Sequence, residues 1–167
     1  PTSVVTGFIC KGLYAWYKAT GSEDAKDLLL SAVPFITYDL QRTEFKEGIC
    51  ISYSTAMRDC CYNASLLGAE VLAMAYSITQ NEEHRKLAVD ALRFVVNHQH
   101  HDGHWGYSLH YVSGHERTQT DFHQGFILES LWNIAQLVDY TDEDFTRALQ
   151  RGLDFYVHHQ FAKDGQS

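Results

Sequence analysis

Residues 63–105 read NASLLGAEVLAMAYSITQNEEHRKLAVDALRFVVNHQHHDGHW, and this stretch decides the fold. Leu67, Val71, Met74 and Ile78 recur at helical spacing, so an apolar helix runs from about Asn63 to Ile78. Asn81 then offers a side-chain oxygen to the free N–H groups of a new helix. That second helix carries Leu87, Ala91 and Phe94 at i, i+4 and i+7, one face with a small residue in the middle. It ends at Gln99, and the loop that follows, Gln99 to Trp105, has the form Q-x-x-x-G-x-W with Gly103 and Trp105 as its fixed points.

The same plan appears on either side. Leu87, Ala91 and Phe94 follow Leu28, Ala32 and Phe35 by 59 positions and precede Ala148, Gly152 and Phe155 by 61. Ser22 and the Thr141–Asp142 pair stand where Asn81 stands, as caps of the same outer helix. A second inner helix is striped by Ile127, Leu131, Ile134 and Val138. Gln41 to Gly48 is a looser copy of the loop, and Gln160, Asp164 and Gly165 begin a third. Pro34 is expected to kink or end the first outer helix. Repeats of this kind fix an architecture before any local detail does. The chain reads as helix, turn, helix, long loop, three times over, and residues 1–167 as one all-α domain. In the loops, Gln99 is expected to satisfy backbone groups at a helix end, Gly103 to supply a left-handed turn and Trp105 to cover the neighbouring hairpin.

Composition narrows the function classes. The 167 residues are 45% hydrophobic and 20% charged, which suits a packed domain rather than a disordered one. Thirteen Lys and Arg against 21 Asp and Glu give a formal charge of −8, which excludes a phosphate-tracking nucleic-acid binder. No apolar run approaches a membrane span, and Pro1 to Cys10 lacks the ordered regions of a signal peptide. Cys10, Cys50, Cys60 and Cys61 have no disulfide-framework spacing, which points to a reducing, cytoplasmic setting.

Repeated helical hairpins with such loops resemble the α/α toroids, among them terpene cyclases, protein prenyltransferases, polysaccharide lyases and unsaturated glucuronyl hydrolases. Longer strings, Cys61-Tyr-Asn-Ala-Ser-Leu-Leu-Gly-Ala-Glu70, Gln99 to Trp105 and Asp121-Phe-His-Gln-Gly-Phe-Ile-Leu-Glu-Ser-Leu131, resemble an uncharacterised bacterial family found beside capsule and O-antigen biosynthesis genes. That family's Asp-Asn-Phe-His-Thr-Gly is one residue shorter here. The resemblance implies a partial α/α toroid of about three hairpins. Toroids of this type close with five to seven, so a homodimer or a further C-terminal half is expected to complete the ring, since an open stack leaves its end flanks in water.

In α/α toroids the site lies at one end of the inner helices. Aligning Asn63 with Gln124, a shift of 61, sets Tyr62 level with His123 there, with Asp59 and Asp121 just outside. Asp121 and His123 are the acid and base candidates for attack on a sugar. Asp121 with Gln124 three positions later also has the form of a capping box. Tyr62, Asn63, Asp59, His104, Trp105 and Tyr107 are expected to shape the substrate site. The loop from His100 to Thr120 adds Tyr111, Glu116 and Arg117 to its histidines, which suits a polar, ring-shaped ligand.

No metal and no cofactor is expected. Asp59, Cys60, Cys61 and His123 have no recognisable zinc spacing, and there is no Gly-rich phosphate loop. The acidic run Asp142 to Asp144 lies at a helix start, where it complements the dipole rather than forming a cyclase motif. The expected function is a carbohydrate-active protein of bacterial surface-polysaccharide metabolism, a lyase, hydrolase or epimerase acting on a saccharide, with an acidic one favoured. The alternatives are a non-catalytic toroid that scaffolds or binds glycan, and a prenyl-type toroid. The charge of −8 opposes an acidic substrate unless Arg58 and Arg117 gather at the cleft.

Overall fold

The computed structural model describes residues 1–119 and 122–161. Its helices pair in sequence as α1 (Ser3–Thr20) with α2 (Glu23–Ser31), α3 (Tyr62–Thr79) with α4 (Glu82–Asn97), and α5 (His123–Val138) with α6 (Glu143–His159). The three outer helices open on the expected residues. Ser22 Oγ accepts from the amide of Ala25, Asn81 Oδ1 from that of Glu83 and Asp142 Oδ1 from that of Phe145. Burial alone would raise the Asp142 carboxyl, but the Phe145 amide and the Tyr140 hydroxyl outweigh it and hold it below the usual carboxylate range. Asp142 to Asp144 is therefore a helix start, as its sequence position implies.

The inner helices α1, α3 and α5 stand side by side with α3 in the middle, packed against α1, α4 and α5. The stripe read from the sequence understates this helix: every residue from Tyr62 to Ala75 is buried, because neighbours cover it on all sides. One charge lies in that interior. Glu70, 2% exposed, accepts from Ser130 Oγ at 2.7 Å and Asn133 Nδ2 at 2.8 Å, with Lys11 Nζ 3.6 Å away. Partners from α1 and α5 thus hold one carboxylate on α3, which pins the register of the three inner helices.

The first outer helix departs from its repeat. It ends at Ser31, before Pro34, and a π-helical turn over Phe35–Asp39 carries the chain on. Along the helix and the turn that follows it the buried apolar positions are Ala25, Leu29, Val33 and Ile36, whereas Leu28 is 58% exposed. The Leu28 register fails because that face, in α4 and α6, is covered by the loop of the preceding hairpin. No such loop precedes α2 among the described residues.

The loops seat on the next outer helix through glycine. A Cβ on Gly48 would overlap the Asp90 carbonyl and stand 2.9 Å from the Phe94 nitrogen, on α4 beside Ala91. A Cβ on Gly103 would overlap the Arg151 carbonyl, on α6 beside Gly152. The small residue of the repeated triple is thus where the previous loop lands. These loops also contain strands that an all-α reading omits. β1 (Arg42–Phe45) and β2 (Gly48–Ile51) form an antiparallel hairpin, and β3 (Cys60–Cys61), β4 (Ser108–Leu109) and β5 (Glu116–Arg117) form a small sheet in the order β3-β4-β5.

The ends of the stack are apolar. Val5, Ile9 and Trp16 on α1, and Trp132, Leu153 and Val157 on α5 and α6, are exposed. A groove lined by Leu128, Trp132, Leu149, Leu153 and Tyr156 runs along the last hairpin. No described helix is long and apolar enough to cross a membrane.

Candidate functional site

The sheet β3-β4-β5 bolts the loop 99–119 across the start of α3. Cys60 pairs with Leu109 and Leu109 with Glu116, while Cys61 pairs with Ser108 and Ser108 with Arg117. The backbone continues the lattice: Tyr62 N–H donates to Tyr107 O at 3.3 Å and Tyr107 N–H to Arg117 O at 2.7 Å. Strand alternation sends the neighbours Glu116 and Arg117 to opposite faces. Glu116 turns inward and Arg117 outward, so one dipeptide serves two purposes.

On the inward side, Tyr62 is fully buried and its hydroxyl donates to Glu116 Oε1 at 2.8 Å. The other Glu116 oxygen meets His100 Nε2. Burial, then the adjacent carboxylate, pushes the Tyr62 phenol far up, so it stays a donor at any working pH. Removing the hydroxyl in Tyr62→Phe leaves a part-buried carboxylate oxygen without its donor. The expected cost is about 1 to 3 kcal/mol by urea unfolding. A loss below about 0.5 kcal/mol would mean that Glu116 is held by His100 alone.

On the outward side, Tyr107 lies between Arg117 and His123. The Arg117 guanidinium sits 5.0 Å from the Tyr107 ring centre, and the His123 ring meets the other ring edge-on with centres 4.7 Å apart. Burial and the Cys61 thiol push the Tyr107 phenol up to about 12, so it too is a neutral hydrogen-bonding group. His123 is the first residue of α5 and Tyr62 the first of α3, the level alignment expected from their spacing.

A cavity of about 500 Å³ opens beside Arg117, lined also by Arg58, Asp59, His110, Tyr111 and His115. Asp59 is half-buried there. Its Oδ1 accepts the Tyr53 amide at 2.9 Å, and burial raises its carboxyl above the usual value despite that bond. A separate cavity of about 350 Å³ is lined by His104, Trp105, Phe155 and His159. There His104 stacks flat on His100 with centres 4.1 Å apart, and its Nδ1 is 2.6 Å from Asp102.

The expected site residues therefore divide. Tyr107 and His123 come together, and Arg117 links them to the cavity holding Asp59. Tyr62 is enclosed behind Glu116, and Asn63 is turned inside, its Oδ1 accepting from Cys61 Sγ at 3.0 Å. Trp105 is 7% exposed, donates Nε1–H to Val95 O at 2.8 Å, and packs its ring where a Cβ on Gly152 would stand. It forms wall rather than open surface. His104 belongs to the second cavity. Asp121 lies outside the described residues. The capping box of Asp121 with Gln124 therefore also lies outside the described residues; on the described side, α5 begins after Phe122, and the buried Gln124 amide donates to Gly103 O and Gly152 O while accepting from Trp105 N–H. Gln124 thus ties three backbone groups together at a hairpin junction. Glu116 was legible only as a member of the polar loop, and Arg58 and Arg117 only as the pair whose gathering an acidic substrate would require. Among the described residues no three of His, Cys, Asp or Glu gather closely enough to share a metal ion.

The sequence matches no family model and no curated protein. Solved structures do match. The cellobiose 2-epimerase of Spirochaeta thermophila superposes with a TM-score of 0.74 at 12% identity, over 99% of this chain and 47% of that one. The GH76 α-mannanase of Bacteroides thetaiotaomicron gives 0.69 at 18% identity, over 92% of this chain and 44% of that one. The fold is accordingly the α/α toroid, and the chain spans under half the length of each of these proteins.

Proposed function

We propose that the chain is part of a carbohydrate-active enzyme of bacterial surface-polysaccharide metabolism, acting in the cytoplasm on a saccharide as a lyase, hydrolase or epimerase. The observation that carries this reading is the row Arg117, Tyr107, His123 at the start of the inner helices. It combines an aromatic ring, a fixed guanidinium and an imidazole, which are the groups needed to stack a sugar, hold its hydroxyls and move a proton. Both structural neighbours carry names of saccharide-acting enzymes, an epimerase and a mannanase, which supports the same class here.

In this reading His123 transfers the proton, with Asp121 two residues before it as the second acid or base. Tyr107 supports the ring, and Asp59 lines the adjoining cavity. Tyr62, Asn63 and Trp105 hold the walls. The ring is completed by further hairpins docked on the exposed flank of α5 and α6, from the same chain or a second copy. The four buried free thiols suit a reducing compartment.

A thermal-shift screen of neutral and acidic oligosaccharides tests the reading. A saccharide present at a hundred times its Kd should stabilise the protein by about 2.7 kcal/mol, and Tyr107→Ala should abolish that shift. No shift with any saccharide would move the weight to a scaffold, and a shift that survives Tyr107→Ala would place binding elsewhere.

A further inference from the structure

We infer that the cavity beside Arg117 is an anion subsite, and that the saccharide bound at Tyr107 and His123 carries a carboxylate or phosphate that reaches Arg58 and Arg117. The inference rests on the proposed saccharide site and names its substrate class. Residues 58 and 117 are far apart in sequence, and the β3-β4-β5 sheet brings them to one cavity of about 500 Å³. A space of that size suits a small oligosaccharide unit.

Both arginines line the cavity, and the hydrogen bonds their guanidiniums make go to neutral oxygens. Arg58 lies 5.7 Å from the Tyr111 ring centre, and its Nη2 donates to Arg42 O at 3.1 Å. Arg117 lies over Tyr107 and donates Nη2 to Gln119 Oε1 at 3.3 Å. Among the described residues neither one forms an ion pair, although the chain has 21 carboxylates for 13 Lys and Arg. In so acidic a protein, two unpaired arginines at one cavity leave donors that fit an incoming oxyanion in a fork.

The acidic residue in the lining is not their partner. Asp59 Oδ1 accepts the Tyr53 amide at 2.9 Å, and no ion pair joins Asp59 to either arginine among the described residues. His110 and His115 line the same space and offer ring nitrogens to a polar ligand. Arg117 joins the two places, because it borders this cavity and also covers Tyr107. An anionic group held there sets the attached sugar ring beside Tyr107 and His123.

Calorimetric titration of the intact protein with trigalacturonate, glucose 6-phosphate and cellotriose tests the subsite, with Arg58→Gln as the variant. The Arg58 side chain is exposed and lies outside the Arg117, Tyr107, His123 row, so the variant is expected to fold, which its melting curve checks. At least one anionic sugar should bind about tenfold tighter than cellotriose, with the gap narrowing in salt and shrinking severalfold in the variant while cellotriose affinity holds. Which sugar shows the advantage distinguishes carboxylate from phosphate. Cellotriose binding with no anionic advantage, or an advantage that the Arg58 substitution leaves intact, overturns the subsite and leaves the saccharide reading standing. Failure of all three sugars to bind counts against both.

Discussion

Gly103→Ala is expected to destabilise the protein by about 3 kcal/mol or more, enough to remove a large part of a domain's stability. Two independent causes act at this position. Gly103 has φ of 100°, a region that a side chain strains. Its added Cβ would also stand 2.7 Å from the Arg151 carbonyl carbon and 3.2 Å from the Phe155 Cβ, both on the packed helix α6. The Gly103 carbonyl meanwhile accepts from Gln99 Nε2 and Gln124 Nε2, each at 3.0 Å, so the loop cannot lift without losing both. Gly114→Ala is the control. Its φ of 69° carries the strain, but nothing lies within 4 Å of the new methyl, and about 1 kcal/mol is expected. Urea unfolding of the two variants separates close approach from strain. Equal losses of about 1 kcal/mol would mean that the loop does not seat on α6 as described.

His123→Asn is expected to lower kcat by about 10² to 10⁴ while leaving KM close to its starting value. Asparagine keeps a polar side chain at the start of α5 but cannot carry a proton near neutral pH. The pattern matters as much as the size. Loss confined to kcat marks a group that acts on the reacting atoms, whereas a rise in KM alone would mark His123 as a binding or positioning group beside Tyr107. The pH profile gives a second reading. Tyr107→Phe should leave the profile unchanged across the working range, since burial and the Cys61 thiol push the Tyr107 phenol up to about 12. A variant with unchanged kcat would remove His123 from the chemistry.

The fold was legible where one physical rule acted alone. Repeated i, i+4, i+7 triples gave α4 and α6, Ser22, Asn81 and Asp142 gave three helix starts, and Pro34 marked the end of α2. The Leu28 register was not legible, because exposure there depends on whether a loop covers that face, a fact about neighbours and not about the helix. The candidate site was legible in part. The 61-residue shift placed Tyr62 and His123 level, yet spacing could not tell that one faces inward to Glu116 and the other outward to Tyr107. Asn63 and Gln124, aligned by sequence, serve a thiol and three backbone groups. Strands of two residues leave no period to detect, so the union of Arg58 with Arg117, and the opposite aims of Glu116 and Arg117, emerge only once β3, β4 and β5 pair.

The exposed flanks fit the same account. α5 and α6 pack against α3 and α4, and a groove lined by Trp132, Leu153 and Tyr156 lies open on the last described hairpin.

The most direct test is a crystal structure of the intact protein with the saccharide that stabilises it most. The account predicts a sugar ring against Tyr107, with an oxygen or carbon-bound proton within about 3 Å of the His123 imidazole and polar contact to Arg117. A saccharide seated instead between His104, Phe155 and His159, with Tyr107 and His123 bare, would contradict it.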